Sequence, residues 1–97
     1  MSKVYISGPM TGIPKFNRPA FIKAKAELSV LGYDVVSPVD IGDSLPGKPT
    51  WKDYMKADIK ALVDCELIYM LEGWEKSKGA RIEWEVAKLF DIDPLYL

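Results

Sequence analysis

Four short apolar runs separated by three stretches of helical periodicity predict an α/β fold, a three-layer sandwich with a four-stranded parallel sheet in the flavodoxin/Rossmann-like order 2-1-3-4. Val4-Tyr5-Ile6-Ser7 and Leu67-Ile68-Tyr69-Met70-Leu71 are nearly continuous apolar runs, the pattern of strands buried on both faces. Strand and helix patterns alternate along the chain, which requires right-handed crossovers between parallel strands. Each helical stretch opens on a residue suited to capping: Asn17, Thr50 or Ser77. At 97 residues the chain reads as one domain over 1–97.

The first strand, Val4 to Ser7, stops at Gly8-Pro9, a pair that breaks regular structure. Met10 to Asn17 then forms a shaped loop at the carboxyl end of that strand, where open parallel sheets bind ligands. Asn17 caps a helix from Arg18 to Leu31, with Pro19 in its first turn and Phe21, Ala24, Leu28 and Leu31 turned inward. Gly32 ends it, and Asp34 to Ser37 is the second strand, stopped by Pro38. Residues 38–49, with Gly42, Pro46, Gly47 and Pro49, read as an irregular loop able to cover the site.

Thr50-Trp51-Lys52-Asp53 is a capping box with the shorter acid, opening a helix from Trp51 to Val63. Tyr54, Ile59, Leu62 and Val63 are expected to face the sheet. Asp58 then falls mid-helix, where the plainest reading is a solvated acid near Lys52 or Lys60. The third strand spans Glu66 to Leu71, a last helix runs to Phe90, and Pro94 to Leu97 is a short final strand.

Composition narrows the chemistry. An apolar fraction of 48% and a charged fraction of 28% suit an ordinary globular protein. A net charge of −1 offers no basic surface for a nucleic-acid polymer. With no histidine and one cysteine, Cys65, there is no intrachain disulfide, and acid–base chemistry falls to carboxylates, tyrosine or lysine. Cys65 reads as a buried, inert thiol. No metal or cofactor is expected. The absence of a long apolar span or signal peptide points to a cytoplasmic protein without membrane contact.

The stretch Gly73 to Ala87 carries the sharpest chemical signal. It leads from the third strand into a helix whose Ile82, Val86, Leu89 and Phe90 form one apolar stripe at i, i+4, i+7 and i+8. Ser77 caps that helix, and Gly79 allows a ligand to approach N–H groups that lack a helical partner, an arrangement that attracts anions. Glu83 lies about one turn inside, on a different face from the stripe, where the helix dipole favours its ionised form by roughly 0.3–1 kcal/mol. Acids are also enriched in first turns for stability alone, so spacing leaves both a structural and a chemical role open. Strand order 2-1-3-4 brings the loop after Tyr5, the region of Asp58 and the Ser77-to-Glu83 turn to one cleft. Trp51 and Trp74 flank it, available to stack on a base or to pack.

Tyr5-Ile6-Ser7-Gly8-Pro9, followed by Ser77-x-Gly79-Ala80-x-x-Glu83-x-x-x-Ala87, resembles the nucleoside 2-deoxyribosyltransferase superfamily. The chain is most similar to its small phage and bacterial, DUF4406-like branch, through Gly-Pro-Met-Thr-Gly, Phe-Asn before the first long helix and Gly-Trp-x-x-Ser-x-Gly-Ala. The resemblance implies attack by Glu83 on the anomeric carbon of a 2-deoxyribosyl group, with Tyr5 orienting Glu83 through its hydroxyl and Asp58 assisting in proton transfer. It further implies that Ser7, Gly8, Pro9, Asn17, Ser77 and Gly79 hold the substrate or its 5′-phosphate, with Arg18 and Lys15 as possible further contacts. Full-length transferases extend beyond the last strand, and a chain ending at Leu97 would favour hydrolysis over base exchange. The expected activity is N-glycosidic cleavage of a nucleoside or deoxynucleotide in a homodimer or higher homo-oligomer. The alternatives are a nucleotide-binding or sequestering module on the same fold and a phage accessory protein that engages a host protein.

Overall fold

The computed structural model describes residues 2–97. Strand β1 (Lys3–Ser7) lies between β2 (Asp34–Val36) and β3 (Leu67–Met70), and β4 (Asp93–Pro94) lies outside β3, all parallel. The observed order is therefore 2-1-3-4, as expected. Helices α1 (Arg18–Val30), α2 (Pro38–Ser44), α3 (Trp51–Leu62) and α4 (Lys78–Leu89) make the crossovers.

Alternation along β1 divides the core in two. Val4 and Ile6 pack with Phe21, Ala24 and Leu28 of α1, whereas Tyr5 packs with Leu62, Ile68, Ala87 and Ile92. Burying each large apolar side chain contributes about 1.5–3 kcal/mol. The same alternation turns Tyr5 and Ser7 toward the layer formed by α3 and α4, which settles where the polar chemistry sits.

Several expected details change. Residues 38–49 are not one loop: Pro38 stands at the first position of α2, where its fixed φ suits a helix, and the Ser37 hydroxyl accepts a bond from Val39 N at 3.3 Å. Only Leu45 to Thr50 is irregular. Leu31 lies past the end of α1 and is 61% exposed, so it does not face inward. The Thr50–Asp53 capping box forms as expected, but α3 buries Met55, Asp58 and Leu62, leaving Tyr54 exposed and Ile59 and Val63 half-buried. The last strand falls earlier than expected, at Asp93–Pro94, with Leu95 N then donating to Ile68 O at 2.8 Å.

The largest reversal concerns α4. Its apolar stripe is not its buried face: Leu89 and Phe90 are exposed, while Ala80, Glu83 and Ala87 are buried. The two alanines let the helix approach the sheet closely, and Glu83 fits between them because hydroxyl donors await it. Cys65 is buried, its thiol within 3.4 Å of Ala61 O and pushed up to about 11 by burial. Among the described residues no helix is long and apolar enough to cross a membrane.

Candidate active site

Two carboxyl groups, a phenol and a serine converge where β1 and β3 end. The Tyr5 hydroxyl donates to Glu83 Oε2 at 2.8 Å and the Ser7 hydroxyl donates to Oε1 at 2.6 Å. Tyr5 and Ser7 can do this together because they are two positions apart on one strand and so share a face. Glu83 is 5% exposed and Asp58 7%. Asp58 Oδ1 is buried with no hydrogen-bond partner, a costly state for a carboxylate unless it carries a proton or meets a ligand.

Burial dominates the ionisation of this group. It raises Glu83 from 4.5 to about 7, against the opposing hydrogen bonds from Ser7 and Tyr5. Asp58 rises from 3.8 to about 8, first through burial and then through the charge of Glu83. Tyr5 is pushed well above its ordinary value by burial, then by Glu83 and Asp58. The helix dipole was expected to hold Glu83 ionised, but 0.3–1 kcal/mol is less than one pKa unit at about 1.4 kcal/mol per unit, so desolvation prevails. Near neutral pH, Glu83 can be an anion while Asp58 keeps its proton. Two carboxyl groups with different environments divide into a base or nucleophile and an acid.

The surrounding loops explain the remaining motif residues. A Cβ on Gly8 would lie 2.7 Å from Leu71 Cβ, so glycine is required there by the close approach of β1's end to β3. Pro9 is buried, and its carbonyl accepts a hydrogen bond from Asn17 Nδ2 at 2.9 Å. Asn17 therefore ties the loop shut, and the side-chain cap of α1 expected of it does not form. Lys15, Phe16 and Asn17 all adopt left-handed backbone, with φ of 56°, 53° and 61°, a strained run just before α1.

At the opening of α4 the Ser77 hydroxyl accepts from Ala80 N at 3.2 Å, so the expected cap is present. Lys78 and Gly79 occupy the first turn, where backbone N–H groups have no helical acceptor. A Cβ on Gly79 would stand 3.2 Å from Met55 Sδ, so this glycine also sets how closely α4 meets α3. Ser7, expected on the substrate side of the site, directs its hydroxyl to Glu83.

The aromatic and basic candidates divide. Trp74 packs on Trp84 with ring centroids 5.2 Å apart, while Trp51 is 45% exposed with Lys78 Nζ 4.8 Å from its ring. Arg18 forms a forked ion pair with Asp43, at 3.1 and 2.8 Å, which occupies the guanidinium suggested for phosphate. Lys15 is exposed at the strained turn. Met55, between Trp51 and Asp58 on the same helix face, escaped the sequence reading; its signal was the i, i+4, i+7 spacing of those three residues.

Open depressions of about 420 and 490 Å³ lie elsewhere. The first runs beside α1 past Asn17, Tyr69 and Glu72, and the second lies beside α3 at Leu45, Lys56 and Lys60. Neither is lined by Glu83 or Asp58, whose chemistry lies under cover. Among the described residues no group of three or more His, Cys, Asp or Glu is placed to hold a metal.

Over residues 2–95 the chain matches the family profile described as a domain of unknown function, DUF4406. No curated protein matches it.

Proposed function

The chain belongs to the DUF4406 family, and we propose that it is an N-glycosidase of the nucleoside 2-deoxyribosyltransferase type, acting on a deoxynucleoside 5′-monophosphate. The observation that carries this reading is the Glu83 carboxylate, buried and held through both oxygens by Tyr5 and Ser7, with buried Asp58 unpaired in the same layer. The motif resemblance over β1 and α4 supplies the substrate class.

In this reading Glu83 attacks the anomeric carbon and the N-glycosidic bond breaks, its electron pair passing to the base nitrogen. Asp58 supplies the proton that the departing base needs. A water molecule then attacks the anomeric carbon, giving its proton to Asp58, and Glu83 leaves as a carboxylate. Substrate plus water thus becomes free base plus deoxyribose 5-phosphate. Positive charge develops on the sugar as the bond breaks, and an anion fixed beside it stabilises that state. Tyr5 and Ser7 limit rotation of the carboxylate, and the first turn of α4 offers N–H groups to the 5′-phosphate.

A second reading, a nucleotide-binding or sequestering module on the same fold, draws on the low exposure of Glu83 and the engagement of both its oxygens. One experiment separates the two. Pure protein is incubated with deoxynucleosides and their 5′-monophosphates, and free base is followed by chromatography beside Glu83→Gln. Base release that the substitution abolishes supports the glycosidase. No release, together with thermal stabilisation by one of the nucleotides, supports the binding module.

A further inference from the structure

The depression of about 490 Å³ beside α3 takes no part in that chemistry. Its lining is of two kinds: Lys48, Lys56 and Lys60 bring three ammonium groups, and Leu45, Pro46 and Pro49 bring apolar surface. Lys56 and Lys60 stand four residues apart on α3, about 6 Å along its axis and on one face. Lys48 comes from the neighbouring loop, where Gly47 takes a left-handed φ of 69° and the prolines at 46 and 49 stiffen the chain on either side. The rim is therefore largely set before any ligand arrives.

Charge in this depression is not balanced. Elsewhere Arg18, Lys23, Lys25 and Lys88 each lie within 4.0 Å of an acid. Among the described residues Lys48, Lys56 and Lys60 have no ion-pair partner. Asp53 is the one acid in the lining, and its carboxylate already accepts from Thr50 N at 2.9 Å in the capping box. Like charges at i and i+4 weaken a helix, so the stability of α3 does not account for Lys56 and Lys60. An anion held between them and Lys48 would remove the repulsion. The net charge of −1, summed over the whole chain, hides this local excess.

We propose that this depression is a separate ligand site, taking a small organic phosphate that carries two or more negative charges on an apolar or ring-bearing body. Ammonium groups act as point charges and so suit phosphate, whereas planar carboxylates are better met by arginine forks. The volume falls within the range of about 300–1,000 Å³ found for small-molecule sites, and the leucine and prolines offer contact to more than the phosphates alone. At 3.6 residues per turn, Lys56 and Lys60 each lie about 160° round α3 from Asp58. The site is thus on the opposite side of that helix from the buried carboxyl groups, and the inference does not rest on the glycosidase reading.

Amide nitrogen–proton correlation spectra of the full chain, titrated with adenosine triphosphate, test it. The amides of Leu45, Gly47, Lys48, Lys56 and Lys60 are expected to shift together and to saturate in the micromolar range. Lys56→Gln and Lys60→Gln should each weaken binding about fivefold or more, while Lys23→Gln on α1 leaves it unchanged. Inorganic tripolyphosphate, which lacks the organic body, should bind about fivefold or more weakly than the nucleotide. No shifts at these amides, shifts confined to Ser77 through Ala80 at the opening of α4, or equal affinity in the lysine variants would overturn the proposal. So would tripolyphosphate binding as tightly as the nucleotide. Tighter binding of a single-stranded oligonucleotide or of anionic phospholipid vesicles would also overturn it, assigning the lysines to a polymer backbone or a membrane surface.

Discussion

The Tyr5 hydroxyl meets Glu83 Oε2 at 2.8 Å across 78 positions of sequence. This bond joins the central strand to the helix that follows β3, and it places a titratable group in the layer between sheet and helices. Tyr5 is fully buried, so its hydroxyl has little choice of partner. The bond therefore fixes the carboxylate as firmly as the fold itself.

Replacing Glu83 with Gln should abolish base release, by at least about a thousandfold if it is the nucleophile. The amide keeps an acceptor oxygen and most of the volume, so the variant should remain folded. Single-turnover assays with a deoxynucleoside monophosphate, beside a circular-dichroism melt, check both halves of this expectation. Turnover near the wild-type rate would remove Glu83 from the mechanism.

The activity should follow a bell-shaped pH profile with its optimum between about 7 and about 8, where Glu83 is ionised and Asp58 still carries a proton. Ser7→Ala and Tyr5→Phe each remove a hydrogen bond that lowers the pKa of Glu83, so the acid limb of kcat/KM should move to higher pH. A limb that stays in place in both variants would show that another group sets it.

Stability should fall as pH rises. An acid whose pKa is higher in the folded than in the unfolded chain contributes its full stability below the unfolded value and loses it progressively as pH rises to the folded one, from 4.5 to about 7 for Glu83 and from 3.8 to about 8 for Asp58. Urea midpoints of the wild type should thus decrease from pH 5 to pH 9. Asp58→Asn should flatten the curve and be the more stable protein at pH 9, by a few kcal/mol at about 1.4 kcal/mol per pKa unit. A midpoint that rises with pH contradicts the assignment.

Gly8→Ala should destabilise the fold by about 1–3 kcal/mol, the usual range for forcing a methyl group into a packed site. The new Cβ would stand 2.7 Å from Cβ of Leu71, which directly follows β3 and, being next to the backbone, cannot swing away. Gly79→Ala should cost less, because its nearest neighbour is the flexible side chain of Met55. Denaturant titrations of the two variants should rank them in that order.

Much of the frame around the candidate site is legible in the sequence alone. Ser77 as a cap, Thr50 with Asp53 as a capping box and the 2-1-3-4 order all depend on local spacing and crossover handedness, which sequence states directly. The motif residues Tyr5 and Glu83 were legible as a pair only through resemblance, since nothing in their spacing shows that they touch. Arg18 illustrates the limit: its ion pair with Asp43 depends on α2, which the sequence hides because a proline stops a strand and opens a helix equally well, and Pro38 does both.

By itself the sequence determined the first three strands, helices α1, α3 and α4, the caps at Thr50 and Ser77 and the expected 2-1-3-4 order, because periodicity, breaker residues and crossover handedness speak to these; α2 and the tether made by Asn17 it did not. Which face of α3 and α4 turns inward was decided only by the tertiary structure. Local hydrophobicity favoured Ile82, Val86, Leu89 and Phe90, yet the sheet offered two hydroxyl donors to a carboxylate and little room for large side chains, so Ala80, Glu83 and Ala87 were buried instead. That choice placed Glu83 and Asp58 in a low-dielectric layer, and burial, which no spacing records, set their protonation.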